Sequence, residues 1–165
     1  MTNVVLGIFI GSDQFIKHGN IPVKSFALTS TTPGHLQFLE DHMANREKAL
    51  SFLKMAGAGD VQSAYDKFIA TTFVHHNSYF KGDRPSLLNA MKEASTKSPN
   101  KSIDVKYVYE DGNTVITHSL VTRQNPEEPD IAVVHIFRFE AGQIVELWDL
   151  GQAVSKDSPN ENGMF

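Results

Sequence analysis

Four histidines sit in the strongly patterned part of this 165-residue chain: His75, His76, His118 and His135. An imidazole titrates near neutral pH, and beside apolar neighbours or a carboxylate it becomes a general acid or base. His118 alternates with Ile116 and Leu120, and His135 with Val133, Phe137 and Phe139. In an extended run that alternation puts each histidine on one face with apolar side chains, so both are expected to be buried. A later run adds Glu146 and Trp148 on one face and Asp149 on the other. The pattern leaves open which of those faces turns inward. His75 and His76 are adjacent, so an extended segment sends at most one ring inward.

Each of these residues also has a plain structural reading. A strand histidine can be a hydrogen-bonded core residue, Trp148 a packing residue, and Asp149 a turn cap or a partner of Arg138. Three histidines and a carboxylate can also hold zinc or iron. The helical His-x-x-x-His spacing is absent and the residues come from separated segments, so no metal is expected. There is no Gly-x-Ser-x-Gly elbow, phosphate loop or dinucleotide-binding glycine motif. Acyl-enzyme and nucleotide chemistry are therefore poor fits, and no cofactor is expected.

Composition sets compatible limits. Lys plus Arg number 15 against 19 for Asp plus Glu, a net charge of −4 with no basic run, so nucleic acid is not an expected partner. The chain has no cysteine, which confines any chemistry to imidazoles, carboxylates and hydroxyls. Nothing approaches the ~18 consecutive apolar residues of a membrane span, so no membrane partner is expected. The apolar stretch Val4–Ile10 lacks a preceding basic residue and a small-residue cleavage site, which favours a cytoplasmic chain over a secreted one. Met43 stands directly ahead of a helical pattern. Residues 1–42 are accordingly expected to be an accessory extension, from an upstream start, ahead of a domain over 43–165.

The elements that must position these residues fall into two blocks. Ala49, Phe52, Leu53 and Ala56 share one helical face, and Gly57-Ala58-Gly59 ends that helix. Asp60 suits the N-cap of a second helix carrying Val61, Ala64, Tyr65, Phe68 and Ile69, and Gly82-Asp83 opens a third with Pro85 in its first turn. After Ser98-Pro99-Asn100 the period drops to two. Ile103–Glu110 and Thr114–Arg123 read as one hairpin about Asp111-Gly112, and Ile131–Glu140 and Gln143–Leu150 as a second about Ala141-Gly142. Three helices followed by four long antiparallel strands make an α+β domain. A twisted sheet of this kind curls around its helices and leaves a hollow.

That order resembles the cone-shaped nuclear transport factor 2-like superfold. Phe73-Val74-His75-His76-Asn77, Gly82-Asp83-Arg84, Val134–Phe139 and Ile144–Gln152 are similar to the SnoaL-like group within it. The resemblance implies a fold used by predicted polyketide-cyclase and aldol-condensation-like proteins, and by non-catalytic binding proteins. Cyclases of the wider group use a pocket aspartate as acid/base. His135 stands where that aspartate is expected, which leaves Asp149 as the carboxylate.

Two readings follow. In the first, the domain is a cofactor-free acid/base catalyst acting on a small, apolar, carbonyl-containing compound through an enolate. His76, His135 and Asp149 would then be catalytic, with Asn77, His118, Phe137 and Trp148 around the substrate. In the second, the same hollow binds a ligand without turnover, or the domain is an assembly module. Relatives of the superfold dimerise through the open face of the sheet, which implies a homodimer here.

Overall fold

The computed structural model describes residues 43–165, so the expected accessory extension lies outside the described residues. Helix α1 (Asn45–Gly57) buries Ala49, Phe52, Leu53 and Ala56, the stripe expected from their spacing. Helix α2 (Val61–Phe68) buries Val61, Ala64, Tyr65 and Phe68. Asp60 occupies its N-cap position but makes no side-chain capping bond. The chain then passes without a loop into strand β1 (Ile69–His75). Ile69, expected to close the helical stripe, is thus a strand residue. The β-branched residues Ile69, Thr71, Thr72 and Val74 favour extended backbone over further helix.

Helix α3 (Arg84–Lys97) starts as expected, with Pro85 in its first turn and Asp83 accepting a hydrogen bond from the Ser86 amide at 2.9 Å. Strands β2 (Asn100–Asp111), β3 (Thr114–Arg123), β4 (Ile131–Glu140) and β5 (Gln143–Ala153) complete a sheet in the order β1-β5-β4-β3-β2. Both expected hairpins form. Gly112 has φ 55°, and Ala141 and Gly142 have φ 47° and 75°, the left-handed pair of a tight two-residue turn. The sheet has five strands rather than four, and it is mixed: β1 runs parallel to β5, with His75 beside Leu147. A parallel pairing across more than 70 residues leaves no local sequence signal, which is why this strand reads as an isolated aromatic and histidine segment.

One irregularity decides which side chains face the helices. Near the β4–β5 turn Phe139 pairs with Ile144, but one step on Arg138 pairs with Glu146. Val145 is therefore an extra residue on β5, a β-bulge. Beyond it Leu147 and Asp149 face inward with their partners Phe137 and His135, while Glu146 and Trp148 face outward.

The inner face is built in rows. Val115, Phe137 and Leu147 pack with Phe52, Leu53, Tyr65, Phe73, Leu87 and Met91 in the main core. The Phe52 ring lies 6.0 Å from Phe137 and 5.9 Å from Tyr65, within the usual range of aromatic pairs. Burial of each such large side chain contributes ~1.5–3 kcal/mol. At the far end of the sheet Val121, Ile131 and Val133 make a smaller apolar cluster. Between the two lies a belt where inward positions are polar: Thr117, Ser119, His135 and Asp149.

Candidate functional site

Thr117, His135 and Asp149 are consecutive cross-strand partners on β3, β4 and β5, so their side chains form one row on the inner face. Asn77, just past the end of β1, extends the row: its Nδ2 donates to Asp149 Oδ2 at 2.7 Å. The orientation of Asn77 is fixed from both ends. Its Oδ1 accepts from the Tyr79 amide at 3.0 Å, and its own amide donates to His75 Nδ1 at 3.2 Å. His75 Nε2 lies 2.8 Å from the Lys81 carbonyl, so Nε2 carries the proton and Nδ1 is the acceptor. Gly82 lets the 76–82 loop fold back on β1; a Cβ there would lie 3.1 Å from the His75 carbonyl oxygen.

The row leaves hydrogen-bonding capacity unused. Asp149 Oδ1, both ring nitrogens of His135, Thr117 Oγ1 and Ser119 Oγ are buried with no hydrogen-bond partner among the described residues. Native interiors rarely leave such atoms unpaired, and their concentration in one belt marks a place built for polar contact. Burial also moves the titrations. Desolvation holds the Asp149 carboxyl above its ordinary range, opposed by the Asn77 hydrogen bond and the nearby His75 ring. Desolvation alone pushes His135 down to about 4, so its ring is neutral at pH 7, with one N–H donor and one lone pair. That ring stacks on Phe137, with centroids 5.7 Å apart. Tyr65 on α2 is fully buried and within electrostatic reach of Asp149. Its hydroxyl donates to Met91 Sδ at 3.3 Å, and its pKa is raised first by burial and further by the Asp149 charge, with Arg84 opposing.

The structure thus brings together Asn77, His135, Phe137 and Asp149, and it separates His76, His118 and Trp148 from them. These three were expected at the hollow and lie on the outer face of the sheet. His76 stacks on Trp148, rings 4.5 Å apart and 4° from parallel, and its Nε2 is 2.8 Å from Glu146 Oε1. Glu146 in turn binds Arg138 Nε at 2.6 Å. His118 is held between Tyr107 and Phe165, with centroids at 6.1 and 4.7 Å. The physical reason differs by strand. On β3 the inward positions are Val115, Thr117, Ser119 and Val121, so the apolar neighbours Ile116 and Leu120 that suggested burial of His118 are themselves outward. On β5 the Val145 bulge turns Trp148 outward and Asp149 inward. His76 follows from its neighbour, because His75 takes the inward place.

Thr117, Ser119 and Tyr65 were not among the expected site residues, Tyr65 being expected only in the helical stripe of α2. The first two flank His118, and their parity is that of Val115 and Val121, which was the available signal. Among the described residues no group of three His, Asp or Glu side chains is placed to hold a metal ion. No helix among them is long and apolar enough to cross a membrane.

Residues 49–147 match the model of the SnoaL-like domain. The chain belongs to the SnoaL-like family. No curated protein sequence matches it. Among solved structures it is similar to wild-type IdmH from Streptomyces antibioticus, a polyketide cyclase candidate, at 16% identity and a TM-score of 0.58 over 67% of this chain and 93% of that one. A second similar structure is an NTF2-like protein of unknown function from Burkholderia xenovorans, with 15% identity, a TM-score of 0.54, and 70% and 88% of the two chains covered. A third is an LEH-like epoxide hydrolase from M. tuberculosis, with 17% identity, a TM-score of 0.55, and 66% and 82% covered. At these identities the likeness is one of fold: an NTF2-like α+β domain whose curved sheet packs on three helices. Within this SnoaL-like chain Asn77, Thr117, Ser119 and His135 lie inside the matched segment, and Asp149 lies just past its end.

Proposed function

We propose that this SnoaL-like domain is a cofactor-free acid/base catalyst acting on a small carbonyl compound, with Asp149 as the base. The observation that carries the reading is the Asp149 carboxylate itself. Asn77 holds Oδ2, Oδ1 is buried and unpartnered, and a neutral imidazole stands opposite on β4. A substrate whose carbonyl oxygen accepts the N–H of His135 presents its adjacent C–H bond to Asp149 Oδ1. The carboxylate takes that proton, and the C–H electron pair moves into an enolate whose oxygen is stabilised by His135 and the Thr117 hydroxyl. Return of the proton to another carbon is isomerisation. Attack of the enolate carbon on a second carbonyl is an aldol closure, and loss of hydroxide with that proton is dehydration.

The two titration shifts support the roles. A carboxylate raised by burial is a stronger base once ionised, and a depressed imidazole is a neutral donor that has no charge to lose. Phe137 and Tyr65 supply the apolar wall, and Asn77 acts as a positioning residue.

The reading is tested by exchange of ketone α-protons in D2O, followed by proton NMR. Asp149→Asn keeps the shape and the Asn77 contact and is expected to lower the exchange rate ~10²–10⁴-fold. The wild-type rate is expected to rise with pH through a midpoint above the ordinary carboxylate value of ~3.9. Binding of ketones without any catalysed exchange would convert the domain to a ligand-binding module.

We further propose that the outer face is the surface of a homodimer. Val74, Tyr107, Tyr109, Ile116 and Leu150 are all exposed on it, next to the His76–Trp148 stack. Tyr109→Lys with Ile116→Lys is expected to convert a dimer to monomer in sedimentation velocity; an unchanged mass removes this face as the interface.

A further inference from the structure

We propose that Ser119, one inward position along β3 from Thr117, is a second polar subsite that selects substrates carrying another oxygen function beyond the reacting carbonyl. The inference rests on Asp149 and His135 as the reacting pair.

The placement comes from register. Thr117 lies in the row with His135 and Asp149, and Ser119 lies in the next row with Val133 and Gly151. Positions two residues apart on a strand stand ~6.6–6.8 Å from each other and face the same way. Ser119 is fully buried, and its hydroxyl has no hydrogen-bond partner among the described residues. Its surroundings are apolar, with Val105 and Val133 as cross-strand partners and Val121 next on its own face. Alanine or valine would suit such a site, whereas an unpaired hydroxyl there is costly. A ligand oxygen over Ser119 accounts for it.

The row ends at the exposed Gly151 on β5, where a Cβ would lie 3.3 Å from Ile131 Cγ2, so its buried polar end is the Ser119 hydroxyl on β3. A molecule whose carbonyl lies between Asp149 and His135 meets Ser119 as the next inward polar group along the sheet. The chemistry that fits is a ketone with a hydroxyl, or a second carbonyl, across a ring or short chain from the first.

Acetophenone and 4-hydroxyacetophenone form a probe pair that differs only in that distant hydroxyl. The wild-type protein is expected to exchange the methyl protons of the hydroxy ketone with kcat/KM about tenfold higher, the effect of one uncharged hydrogen bond. Ser119→Ala is expected to collapse that ratio to about one without lowering the thermal midpoint, since it removes a single buried, unpaired oxygen. Ser119→Cys, a weak donor of similar size, should restore part of the preference. A ratio of one in the wild type, a ratio that survives in Ser119→Ala, or a marked fall in midpoint in that variant overturns the subsite. Any of these leaves the acid/base reading standing while both ketones are exchanged. If neither ketone is exchanged, the acid/base reading fails and NMR titration decides the subsite alone. Tighter binding of the hydroxy ketone that is lost in Ser119→Ala sustains it, and equal or absent binding of the two overturns it.

Discussion

The two faces of one sheet carry the same pair of residue types in opposite states. On the outer face Glu146 meets His76 and Arg138, and those hydrogen bonds hold its carboxyl below the ordinary range. On the inner face Asp149 has one neutral hydrogen bond and is held above it by burial. The imidazoles differ in the same sense. His76 is half-exposed and bonded to its carboxylate, whereas His135 is fully buried, unpartnered and pushed down to about 4. Residue type alone therefore does not identify a reactive pair. Outside, charges are satisfied by each other and by water; inside, the same groups are left with capacity that a ligand can use.

The comparison is broken or sharpened by paired substitutions. The largest contrast is in turnover, where Asp149→Asn is expected to cost ~10²–10⁴-fold in α-proton exchange and Glu146→Gln no more than about twofold. Equal losses would mean that the outer pair reaches the substrate. The next is a pH effect on stability. Unfolded His135 takes up a proton near 6.5 but the native residue only near 4, so its contribution is present above pH 6.5 and is lost as pH falls through that window, by about 3 kcal/mol. Asp149 acts in the opposite sense: its raised pKa means that the native state protonates first, so stability is regained as pH falls toward the unfolded value. Denaturation of His135→Gln from pH 7 to 4.5 should lack the acid loss, with the fold retained and exchange abolished. The smallest effect is expected outside. His76→Gln removes one exposed contact to Glu146 and should shift stability by less than ~1 kcal/mol, measured by urea denaturation at low and high salt.

Much of this fold is legible in local pattern. The helical stripes of α1 and α2, the Asp83-Pro85 start of α3 and the two glycine-bearing hairpins are short-range features, and each forms. His135 is legible as a buried histidine because its neighbours Val133, Phe137 and Phe139 share its face and that face is the core. The same argument misplaces His118. Ile116 and Leu120 are apolar, but on the outside; β3 carries apolar residues on both faces, and the choice between them is set by the packing of Val115 and Val121 against other elements. The parallel pairing of β1 is equally invisible, since its partner lies near the other end of the domain. Where a side chain's neighbours are local the sequence is informative, and where they are brought in by register it is not.

The Val145 bulge carries a consequence for how this site could change. Unbroken pairing from Ile144 onward, with Val145 opposite Arg138, would face Trp148, not Asp149, toward the helices, and would seat Glu146 where Leu147 now packs. Val145 therefore works as a frameshift written in side chains. Loss of Val145 itself would close the bulge and keep the register, whereas pairing Val145 with Arg138 in the present sequence would exchange every inward group of β5 beyond it for its outward neighbour. Such a slip would bring a tryptophan to the wall and carry the carboxylate out into water. A proton-transfer surface and an aromatic binding surface are thus separated by a change of register alone.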